Sequence, residues 1–484
     1  MFQGKLNRLF KWQEIRYILH TITSTSSGSL RQPQRFVSLR VGVVDSTNLW
    51  DVVVRTLVTS GSATVLAGVM AIGLAIVLAN SEWKAKPLLR GVTQALYGLP
   101  PVVVGVIVYI ALSKDGVLGS LNWLFTIQGM IVAQTILIFP LILGVSWTAL
   151  ERVSSDKRDV LRVMNATSKQ RVLLEIYCAR RGITNAVLLG FGRAVAEVGA
   201  VLMVGGNIAG KTRVLTTSVV LETSVGRLDV ALQIGLILLI ISLIIAFGLQ
   251  FLQYVRYFER HSLGLESASS KPFEEFNVSW ENLVVEKDGI SIVNSCSIDL
   301  SGNEIVALMG ESGSGKSTLL RAMCGLEKES SRYAHRLAFV PQNPVLVMDS
   351  VAMELGLASR LHDHLADAGK YFASICDFEK KENQRTDSLS GGEIQRIAFL
   401  RALSMNREIL ILDEATSELD GASVERIEEQ ILSFKERGGG VVFATHNPSQ
   451  ARRLADRILF IHEGAFIPEG HEVAQQLLDG KRMG

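Results

Sequence analysis

The stretch Gly310-Glu311-Ser312-Gly313-Ser314-Gly315-Lys316-Ser317-Thr318 decides how this chain is read. Its spacing is that of G-x-x-x-x-G-K-[ST], a loop that wraps a phosphate. The apolar run Ile305-Val306-Ala307-Leu308-Met309 before it has the composition of a buried strand, and Leu319, Leu320, Met323 and Leu326 after it recur at helical spacing. Strand, loop, helix is the order the chemistry needs. Glycines let backbone N–H groups turn toward an anion without Cβ clashes, and the helix N-terminus adds partial positive charge. Lys316 is then placed to reach the β/γ-phosphates and the Ser317 hydroxyl to sit on Mg²⁺, so ATP and Mg²⁺ are the expected cofactors. A chance match in a Ser/Gly-rich loop is the bland alternative, and the flanking elements argue against it.

Further segments complete an ATP site. Ile409-Leu410-Ile411-Leu412 is a strand closing on Asp413 and Glu414. A carboxylate at the strand end suits Mg²⁺ coordination, and Glu414 beside it is placed to polarise an attacking water. A second apolar strand, Gly440 to Thr445, ends at His446, which could sense the γ-phosphate. Gln342 follows the run Leu337-Ala338-Phe339-Val340-Pro341, again at a strand end, within reach of the metal. Either residue alone would be an ordinary surface side chain. Leu389-Ser390-Gly391-Gly392-Glu393 opens a helix with a hydroxyl and free N–H groups, a second anion-binding element. Two phosphate-binding elements in one chain are explained if two copies face each other head to tail, each ATP held by Lys316 of one copy and by Ser390, Gly391 and Gly392 of the other.

In order, Gly310–Ser317, Gln342, Leu389–Glu393, Asp413-Glu414, Ser417-Glu418-Leu419-Asp420 and His446 resemble the P-loop, Q-loop, signature, Walker B, D-loop and switch histidine of the ABC transporter ATPases. The resemblance covers essentially all of 276–484. It implies an α/β P-loop ATPase domain, adds Asp420 to the ATP-binding set, and makes Glu414, His446 and Lys316 the catalytic residues. One departure concerns adenine: the family has a stacking aromatic upstream of the P-loop, where this chain has Lys287, with Trp280 as a substitute candidate.

The rest of the chain has a different character. A mean hydropathy of +0.29 with only 20% charged residues is too apolar for one water-soluble enzyme of 484 residues. A net charge of +2 implies no nucleic-acid partner. Four scattered cysteines, Cys178, Cys296, Cys324 and Cys376, predict buried thiols rather than a disulfide framework. Five apolar runs, near 56–79, 91–112, 124–148, 183–206 and 231–253, are each long enough to cross a bilayer. Gly98-Leu99-Pro100-Pro101 should break the second run, Pro140 should kink the third, and Gly205-Gly206-Asn207 should end the fourth. Basic residues cluster after the first, third and fifth runs, which puts those loops and the ATPase in the cytoplasm. The chain is therefore divided into an N-terminal extension over 1–50, disordered or upstream of the true start, a membrane domain over 51–256, a linker over 257–275 and the ATP-binding domain over 276–484. A cytoplasmic segment at 151–182, with Val160, Val163, Met164, Val172, Leu173 and Ile176 on apolar faces, is suited to dock on a cytoplasmic partner, and residues 211–228 read as a polar outer loop.

Counting about 1.5 Å per residue from Ile183 places Arg193 ~15 Å and Glu197 ~21 Å into the membrane. Four residues apart on one helix face they could neutralise each other, and such depth marks a pathway or an interhelical contact. The membrane half resembles the permeases of type I oxyanion importers of the molybdate/tungstate/sulfate group, and Gly192 to Asn207, Thr216-Thr217 and Leu221-Glu222-Thr223 look most like tungstate importers. That family's coupling motif has a glycine where Asn165 stands, with Asp159 keeping the acid. The resemblance implies ATP-driven import of a tetrahedral oxyanion, most closely tungstate, by a homodimer fed by a separate extracytoplasmic binding protein. Alternatives are a molybdate or sulfate importer of the same build, a half-exporter, a membrane-bound ATP sensor, and an ABC ATPase that transports nothing.

Overall fold

The computed structural model describes residues 46–257 except 82 and 154, residues 263–264, and residues 271–479 except 288, 328–331, 366 and 418. Two units are separable by contact, Met1–Asp51 and Val52–Gly484. Of the expected extension, residues 1–45 lie outside the described residues, as do 258–262 and 265–270 of the linker. The remaining linker residues are not a bare tether. Leu263 is buried in the core of the α/β half, and the Lys370 N–H donates to the Gly264 carbonyl at 2.9 Å.

The membrane half is entirely helical among the described residues. It runs α1 Ser46–Ala79, α2 Lys86–Ala95, α3 Pro101–Leu112, α4 Ile127–Glu151, α5 Ser155–Val163, α6 Ser168–Val195, α7 Gly199–Gly205, α8 Leu215–Ser224 and α9 Leu228–Tyr257. Among the described residues, stretches in α1, α4 and α9 are long and apolar enough to cross a membrane on their own, and two bent pairs raise the possible number of spans to five. The second expected span is one of these pairs. Leu99 and Pro100 are extended, and the chain turns through 95° between Lys86–Gly98 and α3. Two adjacent prolines remove two backbone donors, which is why the ladder stops there. Pro140, by contrast, sits inside a continuous α4.

The fourth expected span is also broken, which corrects the reading of its two charges. Helix α6 ends at Val195 and the chain turns through 57° before α7, so Arg193 and Glu197 do not share a helix face. Arg193 is exposed. Glu197 is buried in the break, where its Oε1 accepts the Ala200 N–H at 3.0 Å and its carbonyl accepts the Thr216 hydroxyl at 3.1 Å. Gln134 donates to the Ala194 carbonyl at 2.9 Å on the other side. Polar side chains thus satisfy the backbone groups that the interruption frees, as they must where lipid offers no partner. Beyond α7, Gly206 has φ +68 and closes the helix where expected. The stretch read as a polar outer loop instead contains α8, whose Leu215, Thr216 and Thr217 are buried; the Leu215 N–H donates to the Thr56 hydroxyl at 2.9 Å.

The 151–182 segment packs on the α/β half of the same chain. Val160, Leu161, Met164 and Ala166 share one core with Leu357, Leu361, Phe399 and Leu400. The Gln170 amide donates to the Leu361 carbonyl at 2.8 Å, and Asp159 accepts from Arg321 at 2.7 Å. Asn165 has φ +53, the left-handed conformation for which glycine is the usual choice. Asparagine tolerates it better than any residue with a branched Cβ, so the departure from the family motif leaves the turn intact. Asn165→Gly should change stability by at most a few tenths of a kcal/mol, whereas Asn165→Val should cost about 1–2 kcal/mol. Thermal unfolding of the two variants in one lipid system checks the difference.

The α/β half begins with an antiparallel pair, β1 Asn277–Lys287 and β2 Ile290–Ser301. A six-stranded sheet follows, built from β3 Ile305–Gly310, β4 Leu337–Val340, β5 Ile409–Asp413, β6 Gly440–Ala444, β7 Arg457–His462 and β8 Ala465–Ile467 in the order β4-β5-β6-β3-β7-β8. All pairings are parallel except the last. Strands β3 to β6 are buried along their whole length, as expected for parallel strands covered on both faces. The helices are α10 Lys316–Met323, α11 Val351–Leu355, α12 Leu357–Leu361, α13 Gly369–Ile375, α14 Gly391–Ser404, α15 Gly421–Glu436, α16 Pro448–Leu454 and α17 Glu472–Leu478. The four cysteines are free thiols, three of them buried, and burial pushes Cys376 up to about 11.

Candidate functional site

The parallel strands bring their C-terminal ends to one edge of the sheet, where ligands bind in folds of this kind. Strand β3 delivers the phosphate loop there, β4 Gln342, β5 Asp413 and Glu414, and β6 His446. Gly313 and Gly315 hold φ of +83 and +103, and a Cβ on Gly315 would lie 2.8 Å from the Ile292 carbonyl, so the loop admits no side chain there. Glu311 and Ser312 lie in the loop's turn, and Ser317 and Thr318 begin α10 behind Lys316. Lys316 is 5% exposed, and its Nζ donates to the Gly310 and Glu311 carbonyls at 2.8 Å each. Burial pushes its pKa down, against the opposing pull of Glu414, Asp413 and Glu311. A phosphate oxygen in the loop would compete for these donors and supply the charge that the burial lacks.

Asp413 is buried, and desolvation pushes its carboxyl above the ordinary aspartate value while a Ser317 hydrogen bond pulls it back. Its Oδ1 and the Ser314 hydroxyl are buried without a protein partner. A buried carboxylate with one unsatisfied oxygen beside a serine hydroxyl fits a hard divalent cation, so Ser317 and Asp413 are suited to hold Mg²⁺, which would neutralise phosphate charge. Because protonation would abolish that role, Mg²⁺ affinity should weaken on acidification at a higher pH than for an exposed aspartate; Mg²⁺ titrations of nucleotide binding at stepped pH check this.

Glu414 is the meeting point. Its Oε1 lies 2.6 Å from His446 Nε2, its Oε2 accepts the Gln342 amide at 3.1 Å, and its own φ of +49 is left-handed. Non-glycine residues held in that region are costly and gather at functional sites. Gln342 faces Glu414 through its amide nitrogen, leaving its oxygen as the atom a metal could use. Gln395 of α14 also reaches this residue, donating to the Glu414 carbonyl at 3.0 Å. Gln395 follows the Leu389–Glu393 stretch in the sequence without a role of its own there, and this contact joins it to Glu414.

Ser390 and Gly391 are exposed, and among the described residues no hydrogen bond or ion pair joins them or Gly392 to the phosphate loop of their own chain. Ser390 instead caps α14, its hydroxyl accepting the Glu393 N–H while Glu393 Oε2 accepts the Ser390 N–H at 2.9 Å. Lys381 and then the Ser390 N–H hold the Glu393 carboxyl down to about 2. The cap is therefore fully formed above the ordinary glutamate range and is lost as pH falls through about 2. Glu393→Ala should cost about 0.5–1.5 kcal/mol near neutrality and nothing at the acid end, as thermal melts across pH will show. Asp420 caps α15, its Oδ1 accepting the Ser423 N–H at 2.8 Å. Lys287 pairs with Glu327 at 3.1 Å, and Trp280 is buried with its indole N–H on the Met323 carbonyl at 3.2 Å. Trp280 is core and offers no face to an adenine ring.

Two family models match the chain: "Binding-protein-dependent transport system inner membrane component" over residues 71–261, and "ABC transporter" over residues 293–417. The membrane half is similar to the tungstate uptake system permease protein TupB of Peptoclostridium acidaminophilum, 36% identical over 194 residues, covering 40% of this chain and 85% of that one. It is also similar to a probable anion ABC transporter permease protein of Haloferax volcanii, 35% identical over 204 residues, with coverage of 41% and 88%. The α/β half is similar to the phosphate import ATP-binding protein PstB 2 of Natronomonas pharaonis, 34% identical over 215 residues, with coverage of 38% and 76%. The chain belongs to the ABC transporters. It joins a membrane permease and an ATP-binding unit of an import system in one polypeptide, is multi-pass, and couples ATP hydrolysis to transport.

Proposed function

We propose that this ABC transporter imports a tetrahedral oxyanion, most closely tungstate, across the cytoplasmic membrane as a homodimer fed by a separate extracytoplasmic binding protein, with its ATPase in the cytoplasm. The observation that carries the reading is the likeness of its permease half to a tungstate uptake permease over most of that protein's length. A second permease relative named for anions supports the substrate class. Exposure of Ser390 and Gly391 away from their own phosphate loop supports a site completed by a second copy.

In this reading two ATP molecules close two α/β halves. Water, oriented by Glu414 with Gln342 and His446 fixing its carboxylate, attacks the γ-phosphorus. The bond to the ADP oxygen breaks and phosphate leaves, with Lys316 and the partner's signature taking up the developing charge; Mg²⁺ held by Ser317, Asp413 and Gln342 would share that charge. Arg193 and Glu197 stay pathway candidates on different footings, one exposed beside the break and the other buried in it. The family match and the helical membrane half speak against a non-transporting ATPase. The test is metal-anion accumulation by cells expressing the chain with its binding protein: tungstate should exceed the level in Glu414→Gln cells about ten-fold. Preferential uptake of sulfate, or export, would overturn the reading.

A further inference from the structure

The loop after Gln342 is held from three directions. The Val347 and Met348 N–H groups donate to Glu354 Oε2 at 3.0 and 2.7 Å. Glu354 is 0% exposed, and its other oxygen pairs with Arg401, which is 3% exposed and also donates to the Val345 carbonyl at 3.0 Å. The membrane half grips the same stretch: the Cys178 thiol donates to the Val347 carbonyl at 3.6 Å, Arg180 pairs with Asp349, and the Tyr177 hydroxyl donates to the Met353 sulfur at 3.7 Å. Arg401 belongs to α14, the helix that opens at Ser390 and sends Gln395 to the Glu414 carbonyl.

We infer that Glu354 and Arg401 are positioning residues for ATP hydrolysis. Their pair locks residues 345–349, α11 and α14 into one body, so that displacement of the membrane half at Tyr177–Arg180 is delivered to the signature and to the Gln342–Glu414 contact. Stability alone does not call for such a pair, because well-packed apolar residues of similar volume replace a buried ion pair at little or no loss. Geometry does: only a carboxylate can accept two loop N–H groups with one oxygen and a guanidinium with the other. The inference rests on ATP hydrolysis coupled to transport, and not on which anion is carried.

The test uses the full chain in lipid nanodiscs, measuring thermal stability, ATP affinity, kcat and KM. Glu354→Met and Arg401→Met singly leave a buried charge or an unfilled loop and should lower stability and kcat together. The double variant Glu354→Met/Arg401→Met should recover stability while kcat stays down about ten-fold and ATP affinity stays within about two-fold. Arg180→Ala should lower kcat in the unmodified chain and add nothing in the double variant, because the contact no longer reaches the site. Recovery of kcat along with stability, or full additivity of Arg180→Ala, would overturn the inference. Absence of ATP hydrolysis in the unmodified chain would strike the transport reading first and this inference with it, and the two failures are read from different samples.

Discussion

Glu414→Gln should lower kcat for MgATP by about 10²–10³-fold and leave ATP bound. The carboxylate sits between two donors, the Gln342 amide at 3.1 Å and His446 at 2.6 Å. An amide of the same shape keeps the volume but has only one accepting end, so one of those donors meets an NH₂ group instead of an oxygen. The orientation proposed to aim an oxygen at the attacking water is then lost, while Lys316 and the loop proposed to bind the phosphates are untouched. With hydrolysis blocked, ATP should hold the two copies closed. Cross-linking yield and nucleotide retention after gel filtration measure this. Full turnover in Glu414→Gln would remove the residue from its assigned role.

Mixed dimers give the second large effect. Lys316→Ala should abolish phosphate binding in its own chain, and Ser390→Arg should spoil the site formed with the partner, so either homodimer should lose about 10³-fold in kcat. In a mixed dimer the two defects fall on one head-to-tail site and leave the other intact, so activity should return. If each chain completed its own site, the mixture would stay as inactive as its parents. Two affinity tags on the two variants allow the mixed species to be isolated and assayed.

Much of the α/β half was legible because its chemistry is written in contiguous stretches. The phosphate loop, the strand ending at Asp413 and the one ending at His446 each announce themselves by an apolar run closing on a polar residue. Parallel strands buried on both faces leave no alternative pattern. Breaks at Pro100 and Gly206 were legible for a similar reason, since proline and glycine act on their own backbone.

The membrane half is less transparent, because position along a helix is not position in space. Arg193 and Glu197 have the spacing of a helical pair, yet no proline or glycine marks the interruption between them. There Gln134 of α4, Thr216 of α8 and Glu197 in the break itself satisfy the freed backbone groups. Trp280 has the chemistry of an adenine platform and the burial of a core residue. Neither fact has a local signature.

Local sequence thus determined which groups are candidates to bind phosphate and where proline or glycine interrupts a membrane helix; that Asn165 keeps a turn made for glycine is read from its φ of +53. Tertiary structure alone decided that Glu414 gathers Gln342, Gln395 and His446, that Asp159 meets Arg321, and that the buried Glu354 ties the signature helix to a stretch which Tyr177, Cys178 and Arg180 also contact. Gln395 and Glu414 are 19 positions apart, Asp159 and Arg321 162, and Tyr177 and Met353 176. Chain connectivity sets no distance over such separations; only the packing of the sheet and the helices upon it does.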